Sequence, residues 1–162
     1  MKRRSGFKND CRGFTIIEVL VTCVIIAVLG SIVIAGFTVW LPGYRLKTAA
    51  RDVYSNMQQI KMSAIKNNGN CNITFSTGPD QYVTTGVTKT VVLSDYGSGV
   101  RFQGPSGETY TVATITFSSR GTCSSAGYAY LTNEKNSAYY RVGPLFTTGV
   151  LGFHKKGTGS WP

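Results

Sequence analysis

Residues 12–41 read RGFTIIEVLVTCVIIAVLGSIVIAGFTVWL, and this stretch constrains the arrangement of the whole chain. Glu18 is its only charge after Arg12, and residues 19–41 are uncharged and mainly apolar. A helix rises about 1.5 Å per residue, so this run is long enough to cross the roughly 30 Å hydrocarbon core of a bilayer. A buried core helix is disfavoured because no other segment is apolar enough to surround it. The stretch therefore predicts a transmembrane helix over residues 14–41, preceded by a leader over residues 1–13.

The charges before the apolar run predict its orientation. The leader has five basic residues and one acid, Asp10, so it supplies +4 of the net charge of +10. By the positive-inside rule the leader lies in the cytoplasm and the C-terminal part outside it. An ordinary secretory signal peptide is the alternative, but the apolar stretch is too long and lacks a small-residue cleavage site followed by polar sequence. The basic leader residues are Lys2, Arg3, Arg4, Lys8 and Arg12.

The string RGFTIIEVLV over residues 12–21 resembles the class III signal of type IV pilins and type II secretion pseudopilins, a basic leader followed by GFTLIELLV. The resemblance implies that a prepilin peptidase cleaves between Gly13 and Phe14 and methylates the new amino terminus of Phe14. Glu18 then falls at the position of the family's glutamate. The family also implies a single-pass protein of the bacterial inner membrane with a periplasmic domain, which later enters a pilus or pseudopilus. Its expected partners are other pilin subunits, the inner-membrane assembly platform and membrane lipid.

Glu18 is a candidate assembly residue on chemical grounds as well. A carboxylate inside a membrane costs a few kcal/mol unless it is paired. Cleavage would create a partner, the amine of Phe14, and Glu18 of one subunit could then pair with Phe14 of another in low dielectric. The alternative is that Glu18 simply extends toward the lipid headgroups. Small residues such as Gly30 and Gly36 would let neighbouring helices approach closely.

The segment after the span predicts an α+β domain. Apolar residues recur every three or four positions over residues 42–67, which indicates an amphipathic helix, and Asn67, Asn68 and Gly69 are typical of a helix end. Pilins often have a proline within the span, but the first proline here is Pro42, where the helix is expected to kink. Residues 68–162 predict a β-rich domain, an antiparallel sheet packed against the amphipathic helix. The predicted strands are residues 72–77, 81–85, 89–94, 109–118, 128–132, 139–142 and 145–153.

Two further segments resemble the GspH/FimT minor pseudopilins. Residues 115–121, ITFSSRG, resemble an F-x-x-x-G stretch, and residues 148–153, TGVLGF, resemble a TGRVRV-like strand without its arginines. The resemblance implies a minor pilin or pseudopilin of a type II secretion pseudopilus or type IV pilus, acting at initiation or at the tip. Two alternatives are a major pilin and a DNA-binding minor pilin for uptake, in which Lys155 and Lys156 would be weak phosphate contacts.

The remaining composition argues against an enzyme. The four cysteines lack metal-ligand spacing, and His154, the only histidine, has no acid or nucleophile near it in sequence. No catalytic, cofactor-binding or metal site is therefore predicted, and no cofactor. Cys71 and Cys123 are the two cysteines of the external part, and an exported domain would allow a disulfide between them. Two buried free thiols are the alternative.

Overall fold

The computed structural model describes residues 14–133, 135, 138–156 and 161. The leader, with Gly13, lies outside the described residues. The chain divides into two compact units, Met1–Thr38 and Val39–Pro162. Helix α1, Ile16–Lys66, begins in the first unit and ends in the second. Eight strands follow: β1 Cys71–Thr77, β2 Asp80–Thr84, β3 Lys89–Val92, β4 Arg101–Phe102, β5 Thr114–Phe117, β6 Ala129–Thr132, β7 Tyr139–Pro144 and β8 Leu151–Lys155.

Helix α1 agrees with the predicted helix within two residues at each end. Helix α1 continues through Pro42. Its apolar stripe in the second unit is buried. Seven side chains at helical spacing are each at most 1% exposed: Leu46, Ala49, Ala50, Val53, Met57, Ile60 and Ala64. No single helix among the described residues meets the length and hydropathy of a membrane span, but the segments Ile16–Ile32 and Gly36–Lys66 meet them together, by length and composition alone.

The C-terminus of α1 is closed by a Schellman motif. Asn68 has a φ of 46°, in the left-handed region. Its N–H donates to the Ile65 carbonyl at 3.3 Å, and the N–H of Gly69 donates to the Ala64 carbonyl at 3.1 Å. These bonds satisfy carbonyls that the last turn would otherwise leave unpaired. The predicted helix stop is thereby confirmed.

The strands form two antiparallel sheets where one was predicted. The first has the order β3-β2-β1-β5 and the second β4-β6-β7-β8. Inner-face residues of both sheets join the stripe of α1 in one hydrophobic core. Phe75 of the first sheet meets Phe102 of the second edge to face, with ring centroids 5.5 Å apart. The predicted α+β class, with a long N-terminal helix and antiparallel strands, is confirmed.

The second sheet explains why the predicted strand over residues 109–118 is wrong. The Thr111 N–H donates to the Tyr128 carbonyl at 2.9 Å, and the Tyr130 N–H donates to the Thr109 carbonyl at 2.9 Å, so residues 109–111 lie beside β6. Residues of β5 pair with β1 in the other sheet. The chain thus crosses from one sheet to the other within the segment that was predicted to be one strand.

Two other strand predictions also need correction, and one strand was missed. The predicted strand 145–153 contains a tight connection between β7 and β8, closed by the Leu145 N–H donating to the Val150 carbonyl at 2.8 Å. The predicted strand 89–94 stops early because Leu93–Tyr96 form a 3-10 helix. The short strand β4 was not predicted, since two residues are too few to show an alternating pattern.

A buried polar network ties α1 to the first sheet. The Asn56 side-chain amide donates to the Tyr82 hydroxyl at 2.6 Å, and both residues are buried. The Tyr96 hydroxyl donates to the Asp52 carboxylate on the same helix. Burial raises the pKa of Tyr82 to about 12, and burial followed by the bond to Asp52 raises the pKa of Tyr96. Both phenols therefore stay protonated and act as neutral donors or acceptors at ordinary pH.

Candidate assembly site

The start of α1 is capped by Thr15. Its hydroxyl oxygen accepts a hydrogen bond from the Glu18 backbone N–H at 3.3 Å, and its carbonyl accepts one from the Val19 N–H at 3.3 Å. Thr15-x-x-Glu18 has the spacing of a capping box, with Thr15 as the N-cap and Glu18 at the third helical position. The cap satisfies a helix-end donor that would be costly to leave unpaired in apolar surroundings.

Glu18 has a local role in addition to its predicted role in assembly. It is the acidic residue of the first helical turn, where the positive end of the helix dipole favours a carboxylate by up to about 1 kcal/mol. The side chain is exposed, and within the described part of the chain no hydrogen bond or ion pair engages its carboxylate. Phe14, just before the helix, is 81% exposed. The structure thus presents both members of the predicted intersubunit pair on the surface.

The first unit exposes a large apolar surface. Soluble monomers rarely expose apolar side chains in a continuous run of this kind. The apolar side chains exposed by half or more include Ile16, Ile17, Val19, Leu20, Val24, Ile25, Ile26, Val28, Leu29, Ile32, Ile34 and Phe37. A surface of this kind requires lipid or other apolar helices around it.

Two hydroxyl side chains within this unit are satisfied by the helix itself. The Thr22 hydroxyl donates to the Val19 carbonyl at 2.8 Å, and the Ser31 hydroxyl donates to the Val28 carbonyl at 2.7 Å. Such bonds let a hydroxyl enter a water-free environment without an unpaired donor. A Cβ added at Gly30 or Gly36 would meet no atom within 4 Å, so the packing of this chain does not itself require these glycines.

The possible disulfide between Cys71 and Cys123 is not formed in this structure. Both are buried free cysteines. Cys71 lies opposite Phe117 on one side, and Cys123 forms a bridge with Phe117 on the other. Adjacent strands are about 4.8 Å apart, so the two cysteines are separated by about 10 Å, beyond the roughly 7 Å limit for a disulfide. The Cys123 thiol instead lies 3.3 Å from the Phe146 carbonyl, to which it donates.

The two segments that resemble GspH/FimT sequences meet in space. Gly121 and Gly149 sit in turns with φ values of 76° and 75°. A Cβ on Gly149 would lie 2.0 Å from the Gly121 carbonyl oxygen, so only glycine permits this approach. The Lys61 ammonium of α1 donates to the Gly149 carbonyl at 3.0 Å. Both motifs therefore hold two turns against the helix, and their spacing alone did not reveal this contact.

The two lysines that the DNA-binding alternative would use differ in environment. Lys155 ends β8, is exposed and lines a cleft beside α1, whereas Lys156 is partly buried and its backbone N–H donates to the Tyr139 carbonyl at 2.9 Å. No arginine follows them in the chain. Among the described residues no group of three or more His, Cys, Asp or Glu side chains is placed to hold a metal ion.

Comparison with known proteins agrees with the motif and the fold. Residues 8–34 match the model of the prokaryotic N-terminal methylation motif. The structure is similar to the type IV minor pilin FimU of Pseudomonas aeruginosa, with a TM-score of 0.53 and 11% identity over 72% of this chain and 92% of that one. No curated protein matches the chain.

A prepilin-type signal, an exposed apolar helix and a head of antiparallel strands define a protein anchored in a membrane by its N-terminal helix. More particularly, the chain has a prokaryotic N-terminal methylation motif at its start and a fold similar to that of a type IV minor pilin.

Proposed function

We propose that this chain is a minor pilin or pseudopilin subunit, cleaved between Gly13 and Phe14, methylated on Phe14 and assembled through α1 into a filament. Before assembly it is held in the bacterial inner membrane with its β-rich head in the periplasm. The likeness to a type IV minor pilin favours a minor role in a pilus. The turns at Gly121 and Gly149 favour the GspH/FimT subgroup, whose pseudopilins serve type II secretion.

The observation that carries this proposal is the capped, exposed apolar helix directly behind the signal. The only acid of residues 14–41, Glu18, lies in its first turn, and no described residue of the same chain engages the carboxylate. In a filament, the Phe14 amine of one subunit pairs with Glu18 of its neighbour, and this pairing selects the register in which the helices pack. Gly30 and Gly36 have no neighbouring atom within 4 Å of an added Cβ, so they let the helix of another subunit approach closely.

Processing is tested by mass spectrometry of the native protein extracted from membranes. We expect an N-terminal peptide that begins with N-methylated Phe14, and Cys71 and Cys123 as free thiols after alkylation without reduction. A chain that begins at Met1, or one cut beyond residue 41, would overturn the filament proposal, because neither presents a new amine beside Glu18.

Assembly is tested with Glu18→Gln, which keeps the length and the cap position but removes the charge. We expect at least a tenfold loss of the chain from sheared filaments, since a lost pair of about 1.4 kcal/mol or more has this effect. Thr22→Val, one turn further along and also exposed, is the control and should assemble normally. Equal recovery of Glu18→Gln and wild type would refute the pairing, and high abundance in the filament shaft would indicate a major pilin.

A further inference from the structure

Two clefts flank the helix in the second unit, just after the apolar run. One, of about 510 Å³, is lined by Trp40, Gly43, Tyr44, Lys47, Ala138, Tyr140, Phe153 and Lys155. The other, of about 90 Å³, is lined by Pro42, Arg45, Ser98, Val100, Asn133 and Lys135. We call the two together the collar. All of its residues belong to the unit Val39–Pro162.

The collar is cationic. Each cleft has two basic side chains, Lys47 and Lys155 in the larger and Arg45 and Lys135 in the smaller, and no acid is among their described lining residues. Lys47, Lys135 and Lys155 are exposed, so their ammonium groups reach solvent. The smaller cleft has about three times the roughly 30 Å³ that a water occupies in the liquid, enough for a compact anionic group. Its Ser98 hydroxyl adds a polar group to the two cations.

The larger cleft combines these cations with exposed aromatic rings. Trp40 and Tyr44, one turn apart, stack with centroids 4.9 Å apart and planes at 24°. They are 60% and 52% exposed, although each has a large apolar surface. Tyr140 and Phe153, with ring centroids 5.4 Å apart, supply further apolar lining. Trp and Tyr prefer the headgroup region of a bilayer, and lysine stems can lie along apolar surface while their ammonium groups contact phosphates.

We propose that the collar binds anionic phospholipid headgroups of the bilayer that holds the apolar helix. Trp40 and Tyr44 lie at the end of the 28-residue stretch from Phe14 to Leu41 that carries only one charge, so the chain must leave the hydrocarbon close to them. Charge complementarity selects an anionic lipid over a zwitterionic one. This inference rests on the membrane-held stage of the proposed function, and it adds a lipid-binding surface that would tether the head before assembly.

The test uses the whole mature chain, beginning at Phe14, in lipid nanodiscs. Trp161→Phe leaves Trp40 as the only tryptophan, and its fluorescence is quenched by lipids brominated on the acyl carbons nearest the headgroup. Brominated phosphatidylglycerol and brominated phosphatidylcholine are compared in discs of the same overall composition. We expect phosphatidylglycerol to be enriched about fivefold or more beside Trp40, because one basic residue near an anionic surface contributes about this factor.

The same measurement on Lys47→Gln/Lys155→Gln should give quenching in proportion to mole fraction. The control Lys89→Gln/Arg120→Gln removes the same charge from exposed positions outside the collar and should retain the enrichment. Equal quenching by both lipids in the wild type, or no quenching by either, would overturn the collar proposal but would leave the membrane-held stage of the proposed function intact. A chain that does not enter nanodiscs would instead overturn the membrane-held stage itself.

Discussion

At the scale of single residues, Tyr82 links a polar contact to the pH range over which the domain is stable. Its hydroxyl accepts from Asn56 inside the core, where an unpaired amide would cost about 1–3 kcal/mol. Tyr82→Phe should therefore lower the free energy of unfolding by about that amount, because Asn56 is left without its partner. Chemical denaturation monitored by circular dichroism measures this loss. Tyr44→Phe, at an exposed position, is the control and should change little.

The same residue predicts a limit at alkaline pH. The pKa of Tyr82 is about 12 in the folded chain, whereas an unfolded tyrosine titrates near about 10. The folded state thus holds this proton more tightly. The stability that protonated Tyr82 contributes is therefore complete below pH ~10, and it is lost as the pH rises from ~10 through ~12. Absorbance of tyrosinate should show a late step that disappears in Tyr82→Phe. An unchanged titration curve would contradict this assignment.

Gly149 predicts a strict steric requirement at the contact between the two motif turns. Its positive φ and the 2.0 Å approach to the Gly121 oxygen mean that Gly149→Ala must shift backbone, at a cost of about 2 kcal/mol or more. Gly43→Ala is the matched control, since a Cβ there meets nothing within 4 Å and the position is helical. It should stabilise by about 0.5–1 kcal/mol. Thermal unfolding of the solubilised chain compares the two, and a tolerated Gly149→Ala would disprove the close packing.

At the scale of elements, the end of α1 depends on a residue that accepts the left-handed conformation. Asn68→Gly should leave the unfolding midpoint unchanged or raise it, because glycine adopts a φ of 46° freely. Asn68→Val should destabilise the chain by about 1–2 kcal/mol, because a β-branched side chain is strained there. Thermal unfolding of both variants measures the difference. Equal midpoints would mean that the last turn does not need its Schellman motif.

The helix was easier to predict than the strands, for a physical reason. Its stripe repeats over about five turns, and the stop residue Asn68 acts on neighbours within a few positions. Strand pairing depends on partners far away in sequence. Residues 109–118 have a continuous β pattern, yet their first part pairs with β6 and their last with β1. Periodicity cannot show such a change of sheet.

At the scale of the whole molecule, the two units differ in what surrounds their apolar side chains. None of the side chains that the structure describes in residues 14–38 is buried, whereas the core of the second unit includes the stripe of α1 and residues of both sheets. The first unit therefore depends on apolar surroundings outside its own chain, and the second on its own packing.

Two methionines of α1 test this division within one helix. Met57 is 0% exposed and Met62 is 61% exposed. Met57→Ala should cost about 2–5 kcal/mol, since it removes core contacts and leaves a cavity. Met62→Ala should change the free energy of unfolding by less than about 0.5 kcal/mol. Denaturant titration of both variants in the same detergent makes the comparison, and similar losses would contradict the placement of the core.

The sequence by itself determined the signal, the apolar helix, its stop and the α+β class. These features follow from local chemistry, in which a charge, a cap or a periodic stripe acts on residues close to it in the chain. Only the tertiary structure decided that there are two sheets, that Phe117 keeps Cys71 and Cys123 apart, that Gly121 and Gly149 touch, and that Lys155 joins Lys47 in a cleft. Each of these depends on long-range pairing, which brings together residues whose separation in the sequence carries no sign of contact.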